Sequence, residues 1–124
     1  MKVLIVDRSA DVRSRLGERF ADEGFSVLHA GDARDALELL DKDSVSAIVL
    51  DLHAGPASEP GIDGLVRLRD SAAQALIVVL TNETDELVRT ECIRRGANFF
   101  FDKSRDFELA VEAVVDFASV TRQS

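Results

Sequence analysis

Ala47-Ile48-Val49-Leu50-Asp51 (AIVLD) is four consecutive apolar residues closed by an acid. A run this short without alternation reads as a strand covered on both faces, because a strand with one wet face alternates polar and apolar residues. The same pattern occurs upstream at Val3-Leu4-Ile5-Val6, closed by Asp7, and downstream at Leu76-Ile77-Val78-Val79-Leu80, closed by Thr81. Phe25-Ser26-Val27-Leu28-His29 and Asn98-Phe99-Phe100-Phe101 are two shorter candidates for less central strands.

Helical periodicity fills the intervals. Val12, Leu16 and Phe20 recur every fourth residue behind Ser9 as a cap, and Gly24 supplies the stop. Asp32 caps a second helix that buries Ala33, Ala36, Leu37 and Leu40. Gly64 to Arg69 reads as a short third helix, and residues 84–95 as a fourth, ended by Gly96. Phe107, Ala110, Val111, Val114, Val115 and Ala118 line a fifth. Five strand-then-helix repeats predict an α/β fold, doubly wound, with a five-stranded parallel sheet and helices on both faces. Leu52 to Ile62 reads as a long loop holding both prolines, and long loops in compact domains are usually functional or disordered.

Composition narrows the function classes. The 124 residues predict one domain, 1–124, and a formal charge of −8 argues against direct contact with a nucleic-acid backbone. The single cysteine, Cys92, excludes an internal disulfide framework and a multi-cysteine metal site, and it fits a reducing, cytoplasmic setting. The longest apolar stretches fall far short of a membrane span.

In an open parallel sheet, ligands sit beyond the carboxyl ends of the strands, where the strand order reverses. The residues closing the strands are therefore the informative ones. Asp7, Asp51, Thr81 and Lys103 come from four segments and are expected at one edge. Each alone reads as a turn former, a cap or a solvated loop cation, and their joint occurrence is what argues for a site.

These residues resemble the receiver domains of two-component response regulators. KVLIVD at 2–7, IVLD at 48–51, VVLT at 78–81, GA at 96–97 and FFFDK at 99–103 carry the likeness over essentially the whole chain. The resemblance implies a flavodoxin-like (βα)5 fold and a phosphoryl group accepted on Asp51 from a histidine kinase or phosphotransfer protein. It implies that Thr81 and Lys103 bind that group and that Phe100 is the aromatic that turns inward on activation. It also implies a magnesium ion held by carboxylates and a backbone carbonyl, here Asp7, Asp51 and the carbonyl of His53. Output is expected through a face formed by the fourth helix, fifth strand and fifth helix, toward a downstream protein or a second copy, with no direct nucleic acid and no membrane. Such a domain is a self-phosphorylating signalling module rather than a turnover enzyme. Nothing after residue 120 reads as a DNA-binding segment, which suits a stand-alone regulator or an excised input module alike.

The chain departs from the family pattern at four points. Two adjacent acids normally follow strand one, but here Asp7 is followed by Arg8. Asp7, Arg8, Asp51 and Lys103 sum to zero, which weakens divalent-ion binding by several kcal/mol. Arg8 is expected to replace the ion by a bidentate pair with Asp51, or else to swing outward and leave a weakened metal site. The first outcome is preferred, and with it comes an alternative function: a pseudo-receiver that binds proteins or dimerises without phosphate. Second, Asp63-Gly64 lie 12 and 13 residues beyond Asp51, later than usual, so the longer loop covers Asp51, recruits a partner, or is simply tolerated surface slack. Third, Lys103 precedes Ser104 instead of the family's proline. A trans bond is expected there, with a displaced lysine as its consequence. Fourth, Asn82 follows Thr81, an amide expected either to restrict access to Asp51 or to bond its carboxylate.

Other chemistries fit worse. Asp7-Arg8-Ser9-Ala10-Asp11 is too acidic for a flavin phosphate loop, and no Gly-Lys-Ser/Thr phosphate loop occurs. A dehalogenase-type phosphatase needs a second Asp where His53 stands.

Overall fold

The computed structural model of the protein describes residues 1–53 and 61–123. The elements run β1 (Lys2–Val6), α1 (Ala10–Asp22), β2 (Ser26–Ala30), α2 (Ala33–Lys42), β3 (Ala47–Leu50), α3 (Gly61–Ser71), β4 (Leu76–Thr81), α4 (Glu86–Arg94), β5 (Phe99–Asp102) and α5 (Phe107–Gln123). All strand pairs are parallel, in the order β2-β1-β3-β4-β5. This is the doubly wound, flavodoxin-like arrangement expected from the alternating runs.

The uninterrupted apolar strands are explained by burial on two faces. Leu4, Val6, Ile48, Leu50, Ile77 and Val79 pack with Ala36, Leu65, Leu68 and Cys92 on one side of the sheet. Val3, Ile5, Val49, Val78 and Leu80 pack with Leu16, Phe20, Val111 and Val114 on the other. Side chains alternate with a period of two, so α2, α3 and α4 cover one face and α1 and α5 the other. Cys92 belongs to this packing: burial, with the charge of Glu91, pushes its thiol up to about 11, which keeps it protonated and inert.

Local signals act where the chemistry of caps predicts. The Ser9 hydroxyl accepts from the Val12 amide, and Asp32 from the Asp35 amide. Gly24 and Gly96 take φ of +90° and +116°, conformations that a side chain disfavours, and each ends a helix. Several boundaries differ from the sequence reading, three of them with a clear local cause. Phe25 is not part of β2: its amide donates to the Phe20 carbonyl and its ring meets Phe20 edge-on at 5.7 Å, closing the end of α1. α3 begins at Gly61, three residues early, because Ile62 packs on the core and extends the helix. α4 begins at Glu86, since the Asp85 carboxylate caps it.

Candidate functional site

The strand order reverses at β1, whose neighbours are β2 and β3. The chain leaving β1 and the chain leaving β3 therefore diverge and open a crevice at the carboxyl edge. Asp7 and Asp51 stand at its two sides. The Asp7 amide donates to the Ala30 carbonyl at 3.0 Å and the Asp51 amide to the Val6 carbonyl at 2.9 Å, so the sheet ladder itself holds both residues. Asp7 is 4% and Asp51 7% exposed.

Lys103 joins them. Its Nζ lies 2.7 Å from Asp7 Oδ2 and 3.0 Å from Asp51 Oδ2. Burial works against its charge, but the hydrogen bonds to Asp7 and Asp51 outweigh that and hold the ammonium pKa above its ordinary value. No peptide bond among the described residues is cis, yet the lysine is not displaced as the missing proline predicts. The β5–α5 turn is braced instead: the Lys103 amide donates to Thr81 O at 2.9 Å. Asp102 Oδ1 accepts from the Ser104 amide, and Asp106 Oδ2 from the Asp102 amide.

Thr81 ends β4 fully buried, and its Oγ1 accepts from the Glu83 amide at 3.2 Å. That bond uses a lone pair and leaves the hydroxyl proton to donate. Phe100 is buried in β5 at the core edge. Arg89 of α4 donates to the Phe100 carbonyl at 3.2 Å and lies 5.9 Å from the centre of its ring.

Of the two outcomes open to Arg8, the outward one is observed. The preferred Arg8–Asp51 pair is not formed: Arg8 is exposed, and the cation on Asp51 is Lys103. Lys103 reaches the crevice from a braced turn with both carboxylates within hydrogen-bond distance, whereas a guanidinium gains more from water at the rim. Asn82 does not bond Asp51 either. It is exposed, and its Oδ1 accepts from the Ser104 hydroxyl at 3.1 Å. His53 is exposed, with its amide on Asp51 Oδ1 at 3.2 Å. The remainder of the loop expected to cover Asp51 or recruit a partner, residues 54–60, lies outside the described residues.

One functional neighbour was not legible in the sequence. Arg13, half-buried on α1, donates from Nη1 to the Asp7 carbonyl at 2.5 Å. Its position one turn into a helix whose N-cap follows Asp7 is the only signal that pointed to it.

The divalent ion that the resemblance implies can be tested against these donors. Asp7 Oδ1 accepts from the Ser9 amide at 2.8 Å, Asp51 Oδ1 from the His53 amide, and both Oδ2 atoms are on Lys103. The third side-chain position is a guanidinium, Arg8. Among the described residues no three His, Cys, Asp or Glu side chains gather to hold a metal. The donor set falls short of a resident ion's site.

Comparison with known proteins agrees with the fold. The sequence model for the response regulator receiver domain matches residues 3–115. The transcriptional regulatory protein CpxR of Klebsiella pneumoniae is 38% identical over 102 residues, which is 82% of this chain and 42% of that protein. The response regulator MprA of Mycolicibacterium vanbaalenii is 32% identical over 106 residues, 83% of this chain and 44% of that protein. The chain thus spans less than half the length of these relatives. A two-component response regulator from Clostridium difficile superposes with a TM-score of 0.87 at 18% identity, covering 96% of both chains. With the sheet order, the strand-tip residues and a match over nearly all of its length in accord, the chain belongs to the response regulator receiver domain family.

Proposed function

We propose that the chain, acting as one receiver domain over residues 1–124, accepts a phosphoryl group on Asp51 from a phosphohistidine of a histidine kinase or phosphotransfer protein. The observation that carries this reading is the shared ammonium: Lys103 bridges Asp51 to Asp7 across the crevice at 3.0 and 2.7 Å. An Asp51 oxygen attacks phosphorus, an O–P bond forms and the P–N bond breaks. The imidazole leaves with the electron pair and takes a proton from solvent. A carboxylate is a weak nucleophile toward an anionic donor, so catalysis is positioning and charge neutralisation. Lys103 Nζ is placed to follow the new phosphoryl oxygens, and the free proton of Thr81 Oγ1 supplies a second donor.

The added negative charge draws Lys103 and Thr81 toward Asp51 and disturbs the β4–α4 and β5–α5 turns that carry them. Arg89 of α4 ties that helix to Phe100 in β5, through its carbonyl and its ring. Output then passes through the α4–β5–α5 face to a downstream protein or a second copy. That face carries exposed Leu87, Phe99 and Leu109 beside Arg94 and Arg95 on α4 and Glu112 and Asp116 on α5. Receiver domains are signalling domains and generally not turnover enzymes, and the domain here is read in that way, in the cytoplasm. Among the described residues no helix is long and apolar enough to cross a membrane. DNA contact in the longer transcriptional relatives is assigned to their remaining length and not to this acidic domain.

Incubating the chain with acetyl phosphate in magnesium buffer and reading its intact mass tests the assignment. The expected result is a gain of one phosphoryl group that Asp51→Asn abolishes. No gain, or an undiminished gain in the variant, overturns it.

A further inference from the structure

We propose that this site works on fixed protein cations in place of a divalent metal ion, with Lys103 as the standing counter-ion and Arg8 as the residue that keeps metal out. Two nearly buried carboxylates, Asp7 and Asp51, face the crevice. Three cations belong to the same few residues: Lys103 on both carboxylates, Arg13 on the Asp7 carbonyl, and Arg8 next to Asp7 in the chain. The immediate balance is positive by one charge. That count covers Asp7, Asp51, Lys103, Arg13 and Arg8; Asp102, Asp106 and Glu83 stand further along the same edge, with Asp102 Oδ1 accepting from the Ser104 amide.

Arg8 turns its side chain outward, but its backbone stays beside the site. Its Cα is held ~3.8 Å from that of Asp7 by the trans peptide bond. Asp7 in turn is pinned by its amide to Ala30, by its carbonyl to Arg13 and by Oδ1 to the Ser9 amide. The Arg8 guanidinium adds positive charge on the rim of the crevice, attenuated by the water that the exposed side chain meets. It therefore opposes a dication twice, by removing an oxygen ligand and by adding repulsion. The same positive balance favours a phosphoryl dianion, which needs neutralising charge and finds it already in place.

The crevice geometry adds a competitive element. A dication bridging Asp7 and Asp51 would compete with the ammonium for the Oδ2 atoms, and the Oδ1 atoms already accept from the Ser9 and His53 amides.

The inference rests on the proposed phosphoacceptor role only for its purpose, so its test reads metal binding with no phosphate present. Mg2+ is titrated into the chain by calorimetry, and Mn2+ broadening of the Asp7, Asp51 and Lys103 amide signals is followed by NMR. The wild-type chain is expected to bind Mg2+ more weakly than about 1 mM, outside the range of dedicated sites. Arg8→Asp restores an oxygen ligand and reverses the local charge, and it is expected to bind about 100-fold more tightly. Arg8→Ala, which only removes the repulsion, falls between the two. Wild-type binding tighter than about 1 mM, or an Arg8→Asp variant with less than tenfold gain, overturns the proposal. Failure of acetyl phosphate labelling leaves these affinities unchanged, so the two readings fail separately.

Discussion

Lys103 decides the charge balance at the scale of single residues. Replacing it by Met leaves Asp7 and Asp51 facing one another with little water to screen them. Breaking a buried pair costs about 3–5 kcal/mol, and the 15% exposure of the lysine side chain lowers the expectation to about 2 kcal/mol. Urea unfolding at neutral pH reads this as a lower midpoint with an unchanged slope. The pH dependence has a definite sign. The ammonium pKa is raised in the folded state, so its contribution is fully present below the ordinary value of 10.5 and is lost as pH rises past it through the folded pKa. The wild-type midpoint is expected to fall in that alkaline window, and Lys103→Met is expected to lose less there. Equal losses in both chains contradict the assignment. Lys103 was legible in the sequence because it stands at a strand tip. Its two partners were legible only as candidates.

At the scale of elements, the far edge of the sheet depends on one arginine. Arg69, in the last turn of α3, donates to the carbonyls of Ala72 at 3.1 Å, Ala75 at 2.8 Å and Gly96 at 2.7 Å, and to Asn98 Oδ1 at 2.8 Å. It satisfies the end of α3, the turn after α4 and the start of β5 together. Arg69→Ala leaves several carbonyls without a donor, at a cost of about 2–3 kcal/mol. Gly96→Ala is strained twice. Its φ is +116°, and a Cβ there would lie 2.8 Å from Arg69 Cγ. With Arg69 already removed, the same change retains only the backbone strain, about 1 kcal/mol. A double-mutant cycle by denaturant unfolding is therefore expected to show positive coupling between the two sites. Strict additivity counts against the contact. The sequence marked Gly96 as a helix stop, but it carried no sign of Arg69. Its distant partners Gly96 and Asn98 are 27 and 29 residues away, and long side chains leave no periodic trace.

At the scale of the whole molecule, stability is graded across the sheet. β1, β3 and β4 are buried along their whole lengths except for the first residue of β1, while the edge strands β2 and β5 each present exposed residues. Amide hydrogen exchange is expected to be slowest in β1, β3 and β4, approaching the rate set by global unfolding, and faster in β5 and α4. Protection of β5 equal to that of β3 contradicts this. The gradient places the stiff part of the molecule under Asp7 and Asp51 and the compliant part under Phe100 and the proposed output face. A phosphoryl group can then reset β5 and α4 without opening the core.

The sequence alone determined the order of elements and the strand tips, because continuous apolar runs, caps and helix stops are local signals that each segment carries by itself. Period-two burial and the alternation of strand with helix then leave few arrangements for five such repeats. What only the tertiary structure decided is where the long charged side chains go. Arg8 turns outward, Arg13 and Arg69 hold carbonyls, and Lys103 takes both carboxylates. These choices weigh desolvation against attraction among groups brought together from distant parts of the chain, and that balance exists only once the fold has excluded water between them.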